Sequence, residues 1–583
     1  MSRALITGAT VAAGTIIAVN YVAQARVLRA SFAQQHPELP FFTLVIDGDE
    51  SHRHLEGLGH VLLPADLALT PAQWYAMAAQ YTVMELATAA KPTFLQHLLR
   101  FARTAVYFDP DIVVYQPMTD VFAAAADHSI ALTPHCLQPV PRDGLGLSET
   151  QLMHAGLFNL GFIGVGPGCR PFLRWWQERL FHDSIVDPAS ALFTDQRWID
   201  WVPSLFEHTV LRDPGLNVAY WNVHERNLGR SSSGRLQAGT HALRFFHFSG
   251  YDPSTPWRLS KHAAPRPRVR LEDNELIQDL CADYTARVKA AGYAQFHERP
   301  YGLERIGDGF VMTAGVRRLV RSNLMVPTTS GRVPNPYLET TDFRRWLEEP
   351  TCGTAKHPFR RWEQAIWLER TDVRSAFPDI DGADAARYRT WLDNDPWAVG
   401  QRISALAAEP ADGPDLGPAP VTLRSSPGWS VVAYADAELG VGEAGRRLSQ
   451  AVLQTGWPTE VVGVGGVVSR QQHGHLHDLR RSPAYDNAII CVNADQLERV
   501  AHTVGLAPRG RRSARVGLWF WEVDRIPDAW RRSFSLLDEV WVASEYTRAV
   551  LDRASLCPVH VVRLPVLPRT APTSYRRAMV DLP

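Results

Sequence analysis

The stretch Ala105-Val106-Tyr107-Phe108-Asp109-Pro110-Asp111-Ile112-Val113-Val114 decides how this chain is read. Apolar residues run up to two carboxylates one residue apart, and a second apolar run follows at once. A strand ending on two acids delivers both to the carboxyl edge of a sheet, where open α/β sheets bind their ligands. Pro110 gives no ladder donor and stiffens the turn. Carboxylates held so close repel, which calls for a cation between them. A hard divalent ion, Mg²⁺ or Mn²⁺, suits oxygen ligands and leaves positions open for phosphates. An isolated Asp-x-Asp is equally a turn or a pair of solvated loop acids. The buried-looking strand before this one, and segments far downstream, favour the site.

Upstream, Thr15-Ile16-Ile17-Ala18-Val19 reads as a first buried strand. The run Ala4 to Val22 carries no charge and so also fits a leader or anchor, but its three threonines, Asn20 and two glycines make it only mildly apolar. A helix is expected next, with Tyr21, Ala25, Leu28 and Phe32 on one face and His36-Pro37 closing it. Phe41-Phe42-Thr43-Leu44-Val45-Ile46 is the next strand. Strand, helix, strand is the opening of a nucleotide-binding fold. Helical patterns fill Pro71 to Leu99, where Lys91 precedes a proline suited to a helix's first turn. Its ammonium either reaches a ligand phosphate or sits in solvent.

Downstream, Asn159 lies in the apolar run Phe158-Asn159-Leu160-Gly161-Phe162-Ile163-Gly164-Val165 and must hydrogen-bond to backbone or to ligand hydroxyls. Thr194-Asp195-Gln196 opens a helix, as an N-cap or as a reacting pair. Asn217-Val218-Ala219-Tyr220-Trp221-Asn222 mixes amides and aromatics, which suits a loop packed on the core or sugar contacts. His247 leaves an aromatic strand for the loop Phe248-Ser249-Gly250, and an imidazole there can be a third ligand to an ion such as Mn²⁺.

At 583 residues the chain should hold two to four domains. A formal charge of −1 gives nucleic-acid binding no electrostatic support. Six scattered cysteines without a CxxC pair suit a reduced, cytoplasmic protein. Residues 1–262 form the first expected domain. Residues 263–425 read as a helical connector that ends in the Pro/Gly/Ala-rich linker Glu409 to Pro420. From 426 to 583 strands alternate with helices, as in a Rossmann-like, doubly wound parallel sheet. Its opening strand, Trp429 to Tyr434, leads to Gly440-Val441-Gly442-Glu443-Ala444-Gly445, a loop that aims backbone N–H groups at an anion. The residues Ala435 to Leu439 intervene before the first glycine, which argues against a dinucleotide site.

Four motifs together carry a resemblance: Asp109/Asp111, Phe158-Asn159-Leu160-Gly161, Asp195-Gln196, and His247-Phe248-Ser249-Gly250 followed by Pro256-Trp257. In that order they resemble the nucleotide-sugar glycosyltransferases of GT-A fold, closest to family 8, over about residues 15–260. The resemblance implies a metal, Mn²⁺ or Mg²⁺, held by Asp109, Asp111 and His247, with Lys91, Asn159 and Gly250 also lining the donor site. It implies Gln196 beside the anomeric carbon and Asp195 on donor or acceptor hydroxyls. The chain departs from the family at its closing lysine, where Thr255 precedes Pro256. That lysine's phosphate contact would pass to Lys91, Arg258 or Lys261. The partners implied are a nucleotide-diphosphate sugar and a carbohydrate or lipid-linked acceptor, with peripheral membrane contact compatible. A link to cell-envelope or surface polysaccharide synthesis rests only on composition.

The C-terminal region resembles the first half of family 4 GT-B glycosyltransferases. The carrying residues are Gly440-Val441-Gly442-Glu443-Ala444, Trp519-Phe520-Trp521-Glu522, Asp538 to Glu545 and Leu564-Pro565-Val566. The family's donor-binding second half is missing from the resemblance, so this part reads as a truncated or split product, its other half on a separate chain, or as an acceptor-docking module. Two other classes remain in view. A glycoside hydrolase needs carboxylates about 5 to 9.5 Å apart across a bond, which acids at one strand end do not provide. A non-catalytic carbohydrate-binding scaffold would keep the folds without the turnover.

Overall fold

The computed structural model describes residues 9–264, 266–326, 332–395, 398, 428–437, 440–464, 479–480 and, with short interruptions, 483–565. The expected linker Glu409 to Pro420, together with Glu438, Leu439, Glu522 and Val566, lies outside these residues. The chain divides into two compact units, the first running through Arg389 and the second starting at Thr390.

The first unit is built on β1 (Ala9–Ile17), β2 (Phe41–Val45), β3 (His60–Leu62), β4 (Ala102–Phe108), β6 (Ile130–Pro134), β7 (Phe158–Val165) and the short strand Thr209–Val210. Their order across the sheet is Thr209–Val210, β6, β7, β4, β1, β2, β3. β7 alone runs antiparallel to its neighbours, pairing Phe162 with Phe108 of β4 and Ile163 with Leu132 of β6. β1 sits between β2 and β4, with Ala13 opposite Phe41 on one side and Val106 on the other. Seven consecutive residues of β1 are buried, because helices cover both faces of a parallel sheet and leave no solvent side. The chain order turns back between β1 and β4. Ligands of open α/β sheets gather at the carboxyl ends of such a pair.

The helix α1 (Val22–Gln35) follows β1 and buries Ala25, Leu28 and Phe32, as their spacing predicts. Tyr21 departs from that expectation. It ends the 3-10 turn Val19–Tyr21 ahead of the helix and is 38% exposed. His36 closes α1, its N–H donating to the Phe32 carbonyl. Ala9–Ile17 of the uncharged N-terminal run is strand, and no helix among the described residues is long and apolar enough to cross a membrane.

Helices beyond residue 262 belong to this same unit. Arginines of the helix Ala314–Met325 bind it to the sheet domain. Arg317 donates to the carbonyls of Leu303, at 2.6 Å, and Ala78, while Arg318 pairs with Glu85 at 3.2 Å. Arg321 meets Asp183 and the His182 carbonyl, each at 2.5 Å. An arginine fork can satisfy several carbonyls at once, and here it adds to the buried Val316, Leu319 and Val320 of the same helix.

Among its described residues the second unit holds seven parallel strands in the order Leu479–Arg480, Thr459–Gly463, Trp429–Ala433, Asn487–Cys491, Arg515–Trp519, Glu539–Val542, Val559–Val561. Chain order again reverses beside the first strand, the hallmark of a doubly wound sheet. The helix Gly440–Gln454 takes in the whole glycine run, which the sequence reads as a loop ahead of the helix. A Cβ on Gly442 would stand 2.6 Å from the Ala437 carbonyl oxygen and 2.7 Å from that of Tyr434, so only glycine lets the turn close. Arg446 fills the same turn from below, donating to the carbonyls of Ala435 and Ala437 at 2.9 Å. Trp519 is core, packed on Phe534 with ring centroids 4.7 Å apart.

Candidate functional site

The carboxylates of Asp109 and Asp111 stand where β4 ends. The turn Asp109-Pro110-Asp111 closes with the Ile112 N–H donating to the Asp109 carbonyl, and the chain continues as β5 (Ile112–Val114). β5 pairs antiparallel with the strand Phe245–His247, and Ile112 lies opposite His247. That register, with the Phe248 N–H donating to the Asp111 carbonyl at 2.8 Å, brings the histidine to the acids. The Asp109 N–H is anchored in turn on the Gly161 carbonyl of β7, at 2.8 Å. Backbone bonds therefore position all three side chains.

His247 Nε2 is 3.1 Å from Asp111 Oδ1 and 3.8 Å from Asp109 Oδ2. One ligand atom from each of the three residues lies within 4.8 Å of the others. Neighbouring ligands of an ion with bonds of about 2.1 Å lie roughly 3 Å apart, so the cluster fits a small divalent cation after slight contraction. Two carboxylates and one imidazole suit Mn²⁺ or Mg²⁺ and argue against a thiophilic metal. The other imidazole nitrogen, Nδ1, is 3.1 Å from Asn217 Oδ1. An amide oxygen can only accept, so Nδ1 carries the proton there and Nε2 turns toward the acids, the orientation a metal-ligating histidine needs. Burial pulls the His247 imidazole's pKa down, but Asp111 and Asp109 outweigh it and hold it above the ordinary value. Burial likewise opposes ionisation of Asp111, and His247 overrides it, keeping that carboxyl below its usual range.

Asn217 is held by amide partners in series. Its Nδ2 donates to Asn159 Oδ1 and Thr133 Oγ1, each at 2.9 Å. Its backbone is left-handed, with φ near 50°, a conformation asparagine tolerates better than most residues. Asn159 Oδ1 also accepts the Gly161 N–H at 3.0 Å, and Asn159 Nδ2 donates to Gln196 Oε1 at 3.3 Å. Gln196 accepts the Leu160 N–H at 3.0 Å and donates to the Ala155 carbonyl at 2.7 Å. The amides of Asn159 and Gln196 are thus both tied into the wall of the site.

Lys91 is neither a surface residue nor one reaching outward. It is 2% exposed and lies beneath the acid pair. Its Nζ meets Asp195 Oδ2 at 2.9 Å, Asp109 Oδ1 at 3.6 Å and the Leu160 carbonyl at 2.9 Å, and sits 4.5 Å from the centre of the Tyr107 ring. Burial disfavours the ammonium, but Asp109 and Asp195 more than compensate and raise its pKa. The Tyr107 hydroxyl donates to Asp109 Oδ1 at 2.7 Å. Asp195 precedes the short helix Gln196–Ile199 but makes no side-chain cap to it, since its carboxylate is turned to Lys91 and to the Thr194 hydroxyl.

Gly250 adopts φ of +68°, and a Cβ there would reach 2.5 Å from His262 Cδ2, so the loop after His247 folds back over it. Arg258 is engaged with the Lys261 carbonyl at 2.8 Å, and the Lys261 N–H with the Gly250 carbonyl at 2.8 Å. The motifs did not single out Tyr107, Thr133, His135 or the exact part played by Asn217. A polar Asn-rich run between apolar strands was the only signal for the last of these.

Gly161 tests this geometry. A Cβ at 161 would lie 2.4 Å from His247 Cε1, 2.5 Å from its Nδ1 and 2.8 Å from Asn159 Oδ1. Gly161→Ala is therefore expected to push the imidazole off its Asn217 support. Mn²⁺ affinity measured by calorimetry should drop about 10–100-fold, at a stability cost of about 1–3 kcal/mol. Wild-type affinity in this variant would contradict the arrangement.

No family model matches the chain. Among curated proteins it is similar to "Uncharacterized protein YfnF" of Bacillus subtilis (strain 168), 26% identical over 250 residues, covering 41% of this chain and 80% of that one. Solved structures it resembles include the galactosyltransferase LgtC in complex with donor and acceptor sugar analogues, at 15% identity, 48% of this chain, 95% of that chain and a TM-score of 0.30. The glycosyltransferase GlyE of Streptococcus pneumoniae TIGR4 matches at 13% identity over 51% of this chain and 67% of its own, with a TM-score of 0.29. Mouse xyloside xylosyltransferase 1 matches at 17% identity over 41% of this chain and 96% of its own, with a TM-score of 0.26.

Proposed function

We propose that the first unit is a metal-dependent glycosyltransferase, moving a sugar from a nucleotide-diphosphate sugar to a carbohydrate or lipid-linked acceptor. The observation that carries this reading is the convergence of Asp109, Asp111 and a correctly oriented His247 at the carboxyl end of β4. Those three residues would hold Mn²⁺ or Mg²⁺, which when bound neutralises charge on a leaving diphosphate. The chain's own residues supply the rest. Asn217 fixes the His247 tautomer, and Tyr107 and Lys91 orient Asp109. Lys91 pairs with Asp195 at the floor and offsets part of the burial that raises that carboxyl's pKa, leaving its oxygens to meet a sugar hydroxyl. Gln196, with its amide spent on Ala155, Asn159 and Leu160, positions β7 rather than reacting. For the second unit the doubly wound strand order and the turn at Gly442 support a GT-B first half that docks an acceptor or a partner chain.

Melting the full chain with UDP-, GDP- and dTDP-sugars, each with Mn²⁺ or with EDTA, tests the proposal. At least one nucleotide sugar should stabilise the chain in Mn²⁺ alone, by about 2.7 kcal/mol at 100 times its Kd, and be consumed on incubation with acceptor glycans. Equal protection in EDTA, or none anywhere, would defeat it.

A further inference from the structure

Trp221 stands outside the framework just described and carries an unspent donor. The side chain is 4% exposed, yet its indole N–H finds no hydrogen-bond acceptor. The ring stands edge-on to His247, with centroids 5.2 Å apart and planes at 90°, and lies 5.4 Å from His135. His135 joins the same wall, its Nε2 lying 3.4 Å from Asn159 Nδ2 and its ring engaged by the backbone of Gly156 and Leu157. An indole has a single donor and no acceptor, and a buried one normally finds a partner. Leaving it empty costs the full desolvation of the group, so such orphans need a reason. An unpaired indole N–H edge-on to His247 points to an absent acceptor atom.

We propose that the Trp221 indole N–H, flanked by His135, holds a pyranose hydroxyl in this site and so helps to choose which sugar is accepted. The inference rests on the transferase reading above and adds a specificity residue to it. A neutral hydroxyl fits better than a phosphate, because the indole N–H is a single uncharged donor and burial pulls the neighbouring His135 imidazole down to about 4. The hydroxyl belongs either to the transferred sugar or to an acceptor sugar, and the experiment separates them.

The full chain with Mn²⁺ is titrated calorimetrically with UDP, GDP and dTDP, each alone and as its glucosyl, galactosyl or mannosyl ester. The affinity ratio of ester to bare nucleotide isolates what the sugar adds. Trp221→Phe keeps an aromatic ring and deletes the N–H. It should leave bare-nucleotide affinity and the ligand-free melting temperature at wild-type values, while the sugar's increment falls roughly threefold to tenfold. If the ester is unaffected but methyl glycosides or lactose, titrated at saturating nucleotide, bind that much more weakly, the hydroxyl is the acceptor's. Sugar terms unchanged in both arms, a parallel loss for bare nucleotide, or a lowered ligand-free melting temperature with normal sugar terms would each overturn the proposal. Trp221→benzothienylalanine, which replaces N–H by sulfur at nearly constant shape, gives the same readout if the smaller ring leaves a void. A wild-type chain that binds no nucleotide or ester would remove the transferase reading and this inference together.

Discussion

Asp111→Asn is expected to leave a folded protein that no longer binds Mn²⁺ usefully, with an affinity at least about 100-fold below wild type and sugar transfer lowered roughly 10²–10³-fold. The fold should survive because backbone bonds through Ile112 and Phe248 hold the turn, and the amide is the carboxylate's near-isostere. Binding should fail because the anionic oxygen 3.1 Å from His247 Nε2 becomes neutral. The pH dependence supplies a second signature. Protons compete with metal for Nε2, and Asp111 raises the imidazole's pKa. Wild-type affinity for Mn²⁺ should therefore weaken on acidification from a higher pH than an ordinary histidine would allow. Without the Asp111 charge the imidazole pKa falls, and the onset of proton competition should move to lower pH in the residual binding of the variant. Calorimetric titration at several pH values reads both effects. Wild-type Mn²⁺ affinity in Asp111→Asn would remove the metal centre from the account.

Lys91→Met should do the opposite kind of damage, to stability before chemistry. Methionine matches much of the lysine stem but removes the cation that, among the described residues, faces both Asp195 and Asp109 from below. Asp195 is 2% exposed, so its carboxylate would be stranded without a counter-charge. Removing one partner of a buried ion pair costs about 3–5 kcal/mol. The melting temperature should fall by roughly 5 °C or more. The double variant Lys91→Met with Asp195→Asn should recover much of that loss, because no buried charge is then left unpaired. Equal stability of Lys91→Met and wild type would show that Lys91 is solvated after all. A double variant no better than the single would show that Asp195 is not the group left stranded.

The lysine illustrates where the linear chain stops being informative. Pro92 after Lys91 marks a helix start, and the helix Lys91–Leu98 is there. Nothing in that spacing says whether the first turn faces solvent or the underside of two aspartates. Burial on the sheet decides it, and once buried the ammonium must find anions. The same holds for Tyr21, which local periodicity puts on the apolar face of α1 and the structure leaves partly exposed ahead of that helix. Residues beyond 262 read as a connector because helical periodicity gives no destination. The arginine forks of Ala314–Met325 select one by meeting carbonyls and acids of the sheet domain.

What the sequence determined unaided is local: a buried strand that ends on Asp-Pro-Asp, an amide inside an apolar strand, a histidine leaving an aromatic strand, and a second alternation of strands and helices. Side-chain period, proline stereochemistry and the cost of burying an unpaired amide are properties of neighbouring residues, so they can be read in order along the chain. Tertiary structure alone decided that Ile112 pairs with His247, that Asn217 backs the imidazole, that Lys91 joins Asp109 to Asp195, and that Trp221 keeps a donor in reserve. Each of these is a contact between segments remote in sequence. The energy of such a contact depends on strand register and burial, quantities that exist only after the sheet has assembled.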